Sequence, residues 1–186
     1  MGSTSVSNMK NATTKNIIEM AIAFSVMARV FKANSSKQIQ TKLEEILGRL
    51  EKEEYEALHS WFCNWFIKTI KTTKGGPSSY GQAAKMIDVA LKVMISYCHL
   101  PEPSVAAKII PRLHCAVDTP IMLHLKRTYH IGKGIFSLSQ VDRHAYEEFQ
   151  FYLRKEAKSA HLIAVEYDDI LWRKLNRKPD GHEAGR

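Results

Sequence analysis

Apolar residues recur at spacings of three and four along most of the chain, which is the pattern of helices that bury one face. The strict alternation of apolar and polar residues that is typical of strands does not appear in a convincing form. The pattern therefore predicts helix after helix. The predicted helices span residues 14–33, 36–50, 52–73, 79–98, 103–113, 118–128, 139–159 and 161–176.

The breaks between these segments have physical causes. Asn-Ser-Ser at 34–36 offers side-chain oxygens for a helix N-cap, and Gly-Gly-Pro at 75–77 ends one helix and turns the chain. Pro101 and Pro103 cannot continue the helix that precedes them. We therefore predict an all-α fold, a compact single helical domain of about eight helices over residues 15–176, with flexible tails at 1–14 and 177–186.

The length and the charge of the chain limit the functions that it can have. A chain of 186 residues can bury a substantial core in one domain. Its 27 Lys and Arg exceed its 19 Asp and Glu, giving a formal net charge of +8. A positive protein attracts polyanions before any specific contact forms, so nucleic acid is the leading partner.

Cysteine usage and hydropathy indicate the compartment. Cys63, Cys98 and Cys115 are odd in number and far apart, so a disulfide framework is not supported and a reducing cytoplasm fits best. The apolar run 17–31 is interrupted by charges and shorter than the roughly 20 residues of a membrane span, so we expect a core helix there.

His114 beside Cys115 cannot supply a tetrahedral site alone. We expect neither a metal nor a cofactor.

The helix predicted over 79–98 carries an unusual group of charges. At 100° per residue, Lys85, Asp88, Val89 and Lys92 fall on one face. The opposing core stripe consists of Ala84, Ile87, Leu91, Met94, Ile95 and Cys98. The charged face is either a solvated surface with ordinary ion pairs or one wall of a site.

The turn before this helix also has two interpretations. Backbone N–H groups at the positive end of a helix dipole can bind a phosphate, which makes Gly76, Ser78, Ser79 and Gly81 candidate DNA contacts. Turn glycines and capping serines are equally the ordinary materials of a helix-to-helix loop.

The run 85–94 resembles the lysine-containing helix of the helix-hairpin-helix DNA glycosylases and is most similar to the archaeal 8-oxoguanine glycosylase (AGOG) type. That family has two lysines seven apart and an aspartate some thirty residues later in a Pro-Val-Asp context. This chain has Ala116, Val117 and Asp118 there. The family also carries an aspartate and a tryptophan four apart, a spacing that Asp168 and Trp172 share.

The resemblance implies a role for each matching residue. Lys85 would be the nucleophile and Asp118 the catalytic carboxylate. Lys92 and Asp168 would contact the flipped base, and Trp172 would stack against it. The resemblance also implies a helix-hairpin-helix-like element, double-stranded DNA as the partner and a monomeric enzyme.

The chemistry of base excision requires these residue types. Breaking an N-glycosidic bond builds positive charge on the sugar, which a carboxylate such as Asp118 can stabilise. A neutral lysine amine can attack C1′ and form a Schiff base, which opens the way to strand cleavage. The base must first be flipped out of the duplex and held by stacking and hydrogen bonds.

One departure from the family bears on the substrate. The family places an aromatic residue between the two lysines, where it stacks on the oxidised purine, whereas this chain has Val89. We therefore expect a roomier pocket that takes a bulky hypermodified base in foreign or phage DNA rather than 8-oxoguanine.

The alternative is a non-enzymatic helical nucleic-acid-binding domain in which Lys85, Asp88 and Lys92 are surface pairs. The two hypotheses differ in geometry. A glycosylase gathers Lys85, Asp118 and Trp172 around one cleft, whereas a binding module leaves them on separate surfaces.

Overall fold

The computed structural model describes residues 3–25 and 30–176, with side chains from residue 12 onward. Over these residues the chain is helical and has no strand, so the predicted all-α fold is confirmed. The helices are α1 (Ser3–Phe24), α2 (Ser35–Arg49), α3 (Tyr55–Thr69), α4 (Tyr80–Leu91), α5 (Pro103–Ile109), α6 (Thr119–Tyr129), α7 (Arg143–Ser159) and α8 (Ala164–Asn176).

The N-terminal region differs most from the prediction. The helix α1 begins at Ser3 and ends at Phe24, so residues 3–14 are helical rather than a flexible tail. The segment is rich in Ser, Thr and Asn and lacks apolar periodicity, which is why the sequence pattern missed it. The tail predicted at 177–186 lies outside the described residues. Among the described helices, none has the length and apolar character needed to cross a membrane.

The helix α4 lies at the centre of the fold and contacts α1, α3 and α7. Ten of its twelve residues are buried. It begins with a capping box, in which the Ser79 side chain accepts from the Gln82 N–H and the Gln82 side chain accepts from the Ser79 N–H. After Leu91 the helix continues as a π-helix over Lys92–Tyr97. Such segments are rare and frequently lie at functional sites.

A ten-residue connection, 70–79, joins α3 to α4. The Thr72 N–H donates to the Gly76 carbonyl at 2.9 Å, and isolated bridges join Lys71 to Pro77 and Thr72 to Phe31. The connection therefore forms a tight turn that is attached to the chain just after α1. It reverses the chain so that α4 packs against α3.

Gly81 lets the start of α4 approach the 138–141 segment closely. A Cβ added there would lie 2.5 Å from Val141 Cβ and 2.7 Å from the Leu138 carbonyl oxygen. We expect Gly81→Ala to lower the free energy of unfolding by about 1–3 kcal/mol because the backbone carbonyl cannot move aside freely. Urea denaturation followed by circular dichroism measures this.

Gly48 provides the matched control. It is exposed in α2, and an added Cβ would meet nothing within 4 Å. Because alanine is the better helix former, Gly48→Ala should raise the free energy of unfolding by about 0.5–1 kcal/mol. Equal effects of the two substitutions would contradict the close contact at Gly81.

Candidate active site

A cavity of about 300 Å³ opens between α1, α4, the π segment and α8. It is lined by Phe24, Lys85, Val89, Lys92, Val93, Tyr97, Ala116, Asp118, Asp168, Asp169 and Trp172. Both residues predicted as catalytic and all four predicted to bind the base are among them. The structure therefore brings together six residues that are spread over nearly ninety positions of the chain.

Lys85, Val89 and Lys92 reach the cavity from one face of the central helix. Residues four and seven apart lie on the same side of an α-helix, and Lys92 is where the π segment begins. Lys85 and Val89 are half-buried, whereas Lys92 is buried. The face that carries them points toward α8 and the 113–118 segment rather than toward solvent.

Lys92 is held by two carboxylates. Its Nζ lies 2.6 Å from Asp168 Oδ2 and 2.5 Å from Asp169 Oδ1. Burial disfavours the ammonium, but the two carboxylates outweigh burial and raise the pKa of Lys92 above its ordinary value. Lys92 is therefore a fixed cation in the wall of the cavity.

Lys85 is in a different electrostatic situation. Among the ion pairs formed by the described residues, none involves Lys85. Lys85 lines the cavity. Of the two lysines, Lys85 is therefore the one that the described residues do not hold in an ion pair.

Asp118 is fixed by the start of α6. It is the N-cap residue, and its Oδ1 accepts a hydrogen bond from the Ile121 N–H at 3.0 Å. This bond satisfies one of the free donors at the helix terminus and orients the carboxylate.

A chain of hydrogen bonds that begins on α7 supports the part of the cavity wall formed by the 113–118 segment. The Gln150 side chain donates to the Cys115 carbonyl at 2.7 Å and accepts from the Cys115 N–H at 3.2 Å. The Cys115 thiol in turn donates to Asp168 Oδ1 at 3.2 Å. Gln150 thus fixes the extended 113–118 segment, and Cys115 helps to fix the partner of Lys92. No sequence motif indicated either residue.

Aromatic side chains surround the cavity. Trp172 is 51% exposed, Tyr97 is 53% exposed and Phe24 is 63% exposed. Tyr97 also donates to Asp169 Oδ1 at 2.8 Å, which connects this rim to the carboxylates that hold Lys92. Of the three, only Trp172 was predicted from the sequence. Large exposed apolar groups around a concavity are typical of a binding surface.

Asp88 does not belong to this cavity, contrary to the sequence-based expectation of one shared face. It is 2% exposed and points toward α3 and α7, where it contacts His59 and Tyr146. On the helical wheel it lies about 60° from Lys85, at the border of the face. Its hydrogen-bond partners lie on α3 and α7, and these contacts orient its side chain away from the cavity.

The four residues predicted to contact DNA form internal contacts. The Gly76 carbonyl accepts from Thr72, and the Ser78 hydroxyl donates to the Ile70 carbonyl. The Ser79 hydroxyl donates to the Leu138 carbonyl at 2.7 Å, and the Gly81 N–H donates to the Val141 carbonyl at 2.9 Å. The 138–141 segment thus covers the start of α4. Ser78, Ser79 and Gly81 thus donate to carbonyl groups within the protein, whereas Gly76 accepts through its carbonyl. Their role as DNA contacts stays a prediction.

Comparisons with protein-family models, with curated proteins and with solved structures found no match. We therefore infer the function from the side chains that surround the cavity and from their chemistry.

Proposed function

We propose that this protein is a DNA glycosylase that flips a modified base out of double-stranded DNA and excises it, leaving an abasic site. In this proposal the monomer acts on DNA without a cofactor. The observation that carries the proposal is the cavity in which Lys85, Asp118 and Trp172 meet. A surface-binding module has no need to gather an amine, a carboxylate and an indole around one concavity.

The cavity suits one extruded base. Its volume of about 300 Å³ lies at the lower end of the range for small-molecule sites. The exposed face of Trp172 offers a surface for stacking, and the Lys92–Asp168 pair offers charged groups for the polar edge of a base. Together they provide the stacking and edge contacts that a flipped base requires.

The unequal environments of the two lysines support separate roles. Lys92, fixed between Asp168 and Asp169, serves as a permanent positive charge that contacts the base. Lys85, to which the described part of the chain gives no ion-pair partner, serves as the nucleophile that attacks C1′. The bond from C1′ to the base breaks, its electron pair leaves with the base, and a Schiff base then forms between Lys85 and the opened sugar.

In this proposal Asp118 stabilises the positive charge that develops on the sugar as the bond to the base breaks. Its carboxylate is oriented in advance by the Ile121 N–H, so little reorganisation is needed when the charge appears. Its position in the same cavity as Lys85 supports a division of labour between an electrostatic stabiliser and a nucleophile.

The substrate follows from Val89. A branched aliphatic side chain at this point of the wall leaves more space than a ring would, while Trp172 remains available on α8 for stacking. We therefore propose a bulky hypermodified base, with a pyrimidine carrying a large substituent in foreign or phage DNA as the first candidate. Activity on 8-oxoguanine should be weak. The protein would then act in antiviral defence.

A larger side chain at position 89 tests whether the substrate is a bulky base. We expect Val89→Phe to reduce excision of the bulky base by at least about 10-fold, because a ring would occupy the space that the substituent needs. Single-turnover excision on defined duplexes measures the effect. Val89→Ala is the matched control, since it changes the same position without filling it, and it should retain activity on the bulky base. Unchanged excision by Val89→Phe would contradict the assignment of Val89 to the base pocket.

The proposed function itself is tested on a panel of duplexes. The purified protein is incubated with DNAs that differ only in one modified base, and abasic sites are detected by alkaline cleavage. Excision of one modified base, with unmodified DNA left intact, is the expected result. Tight binding to the duplexes without excision of any base would instead favour a helical nucleic-acid-binding domain.

A further inference from the structure

A second polar cluster lies on another side of α4, away from the residues discussed above. It consists of His59 on α3, Asp88 on α4, His114 before α6 and Tyr146 on α7. All four residues are buried. From the sequence alone we expect no metal, because His114 and Cys115 cannot supply a tetrahedral site by themselves. The fold supplies partners for His114 from three other elements.

The shortest distances within the cluster are those of hydrogen bonds, and together the potential ligand atoms span no more than the size of one coordination sphere. Asp88 Oδ1 lies 2.9 Å from His59 Nε2 and 3.9 Å from His114 Nδ1. The potential ligand atoms of these three residues all lie within 4.8 Å of one another. In a tetrahedral zinc site with bonds of about 2.1 Å, neighbouring ligand atoms are about 3.4 Å apart. The separation of 2.9 Å between His59 and Asp88 is shorter than that value, and the separation of 3.9 Å between His114 and Asp88 is longer.

Tyr146 closes the fourth side. Its hydroxyl oxygen lies 2.7 Å from His114 Nδ1, 2.8 Å from Asp88 Oδ2 and 3.3 Å from His59 Nε2. Two imidazole nitrogens and a phenol oxygen thus surround the two oxygens of the Asp88 carboxylate. Imidazole and carboxylate are ligand types that zinc accepts in proteins.

The cluster has a route to solvent. A cavity of about 340 Å³ opens beside it, and His59, His114 and Tyr146 line that cavity together with Tyr80 and residues of α3 and α7. An ion can therefore enter without unfolding of the domain. The far nitrogen of His59, Nδ1, lies 3.9 Å from the Cys63 sulfur, so the ring has a weak second contact that fixes its orientation.

We propose that His59, Asp88, His114 and Tyr146 form a binding site for one divalent transition-metal ion, with Zn²⁺ as the ion that fits best. The four ligands come from α3, α4, the 113–118 segment and α7. The bound ion therefore joins four elements behind the helix that carries Lys85 and Lys92. Its role is structural, and it goes beyond the proposed base excision.

The first experiment measures metal binding on the full chain without DNA. The protein is stripped with a chelator and dialysed, and Zn²⁺ binding is followed by calorimetry and by thermal denaturation. We expect one Zn²⁺ per chain and a rise in Tm. Replacement by Co²⁺ should give the intense visible bands of a four-coordinate site. A stripped protein that takes up no stoichiometric Zn²⁺ overturns the proposal and leaves the cluster as a buried hydrogen-bond network.

Variants identify the ligands. His114→Gln should weaken Zn²⁺ binding by more than about 100-fold, since loss of a direct ligand exceeds the usual effect of a supporting residue. His124→Gln is the matched control. His124 forms a histidine–carboxylate pair with Glu156 at 3.0 Å, outside the cluster, and its loss should leave Zn²⁺ affinity unchanged. Equal affinity in His114→Gln and the wild type places the metal elsewhere and overturns the assignment.

X-ray absorption at the zinc edge of the wild-type protein tests the ligands without any variant. We expect a shell of nitrogen and oxygen with the scattering pattern of two imidazoles. Sulfur in that shell would assign the ion to the cysteines and overturn the proposal. This readout holds even if the variants do not fold.

Discussion

Asp118→Asn should remove most base excision while leaving the fold intact. The substitution deletes the negative charge that faces the sugar, and we expect the single-turnover rate to fall by about 100- to 1,000-fold. Stability should change little, because asparagine is as good an N-cap as aspartate and can still accept from the Ile121 N–H. Excision on the preferred duplex and thermal denaturation are measured on the same preparation.

Asp142→Asn is the matched control for this result. Asp142 caps α7 in the same way, accepting from the Ala145 N–H at 2.8 Å, but it does not line the cavity. It should keep full activity. If Asp118→Asn excises as fast as the wild type, Asp118 has no part in the chemistry and acts only as a cap.

Lys85→Gln should abolish covalent capture of the protein on DNA. A Schiff base between Lys85 and the sugar is reduced by borohydride to a stable adduct, which migrates as a protein–DNA band on a denaturing gel. The glutamine variant has no amine to form that bond, so we expect no band. The same variant should also lose any strand cleavage that follows from the Schiff base.

Lys108→Gln controls for the loss of one lysine. Lys108 is exposed on α5 and does not line the cavity, so its variant should be trapped as well as the wild type. Excision by the wild type without any trapped adduct would mean that water attacks C1′. Lys85 would then contribute only positive charge.

Helix periodicity was sufficient to predict the fold class, because burial of one face dictates spacings of three and four. The bounds of α2 and α6 were predicted to within one residue. The start of α1 was missed because its first residues are polar and carry no such period. Local periodicity reports burial, and a helix segment without a buried apolar stripe gives no signal.

The candidate site could be predicted only as far as spacing carries information. Lys85, Val89 and Lys92 share a helix face, so their common direction follows from geometry alone. The contribution of α8 to the same cavity came from a resemblance in spacing, since nothing local to Asp168 and Trp172 indicates what they face.

Contacts between distant elements could not be predicted. Gln150 has no local feature that distinguishes it from other polar residues of α7, yet it holds the backbone of Cys115. Asp88 was grouped with the lysines because its partner His59 lies 29 residues earlier in the chain. Both roles depend on how separate helices meet, which the spacing within one helix does not specify.

The π-helix at Lys92–Tyr97 has a consequence for how this chain tolerates changes in length. In an α-helix, residues five apart lie about 140° from each other around the axis, whereas the i→i+5 hydrogen bonds of a π-helix place such residues on nearly the same face. Tyr97 lies five residues after Lys92, and the Lys92 Nζ sits 5.8 Å from the centre of its ring. Deleting one residue within this segment would place Tyr97 four residues after Lys92, and residues four apart share a face of an α-helix, so Tyr97 would stay at the cavity. We therefore expect the π segment to tolerate the loss of one residue, whereas a one-residue deletion in α4 between Lys85 and Lys92 would turn the later residues by about 100° around the axis.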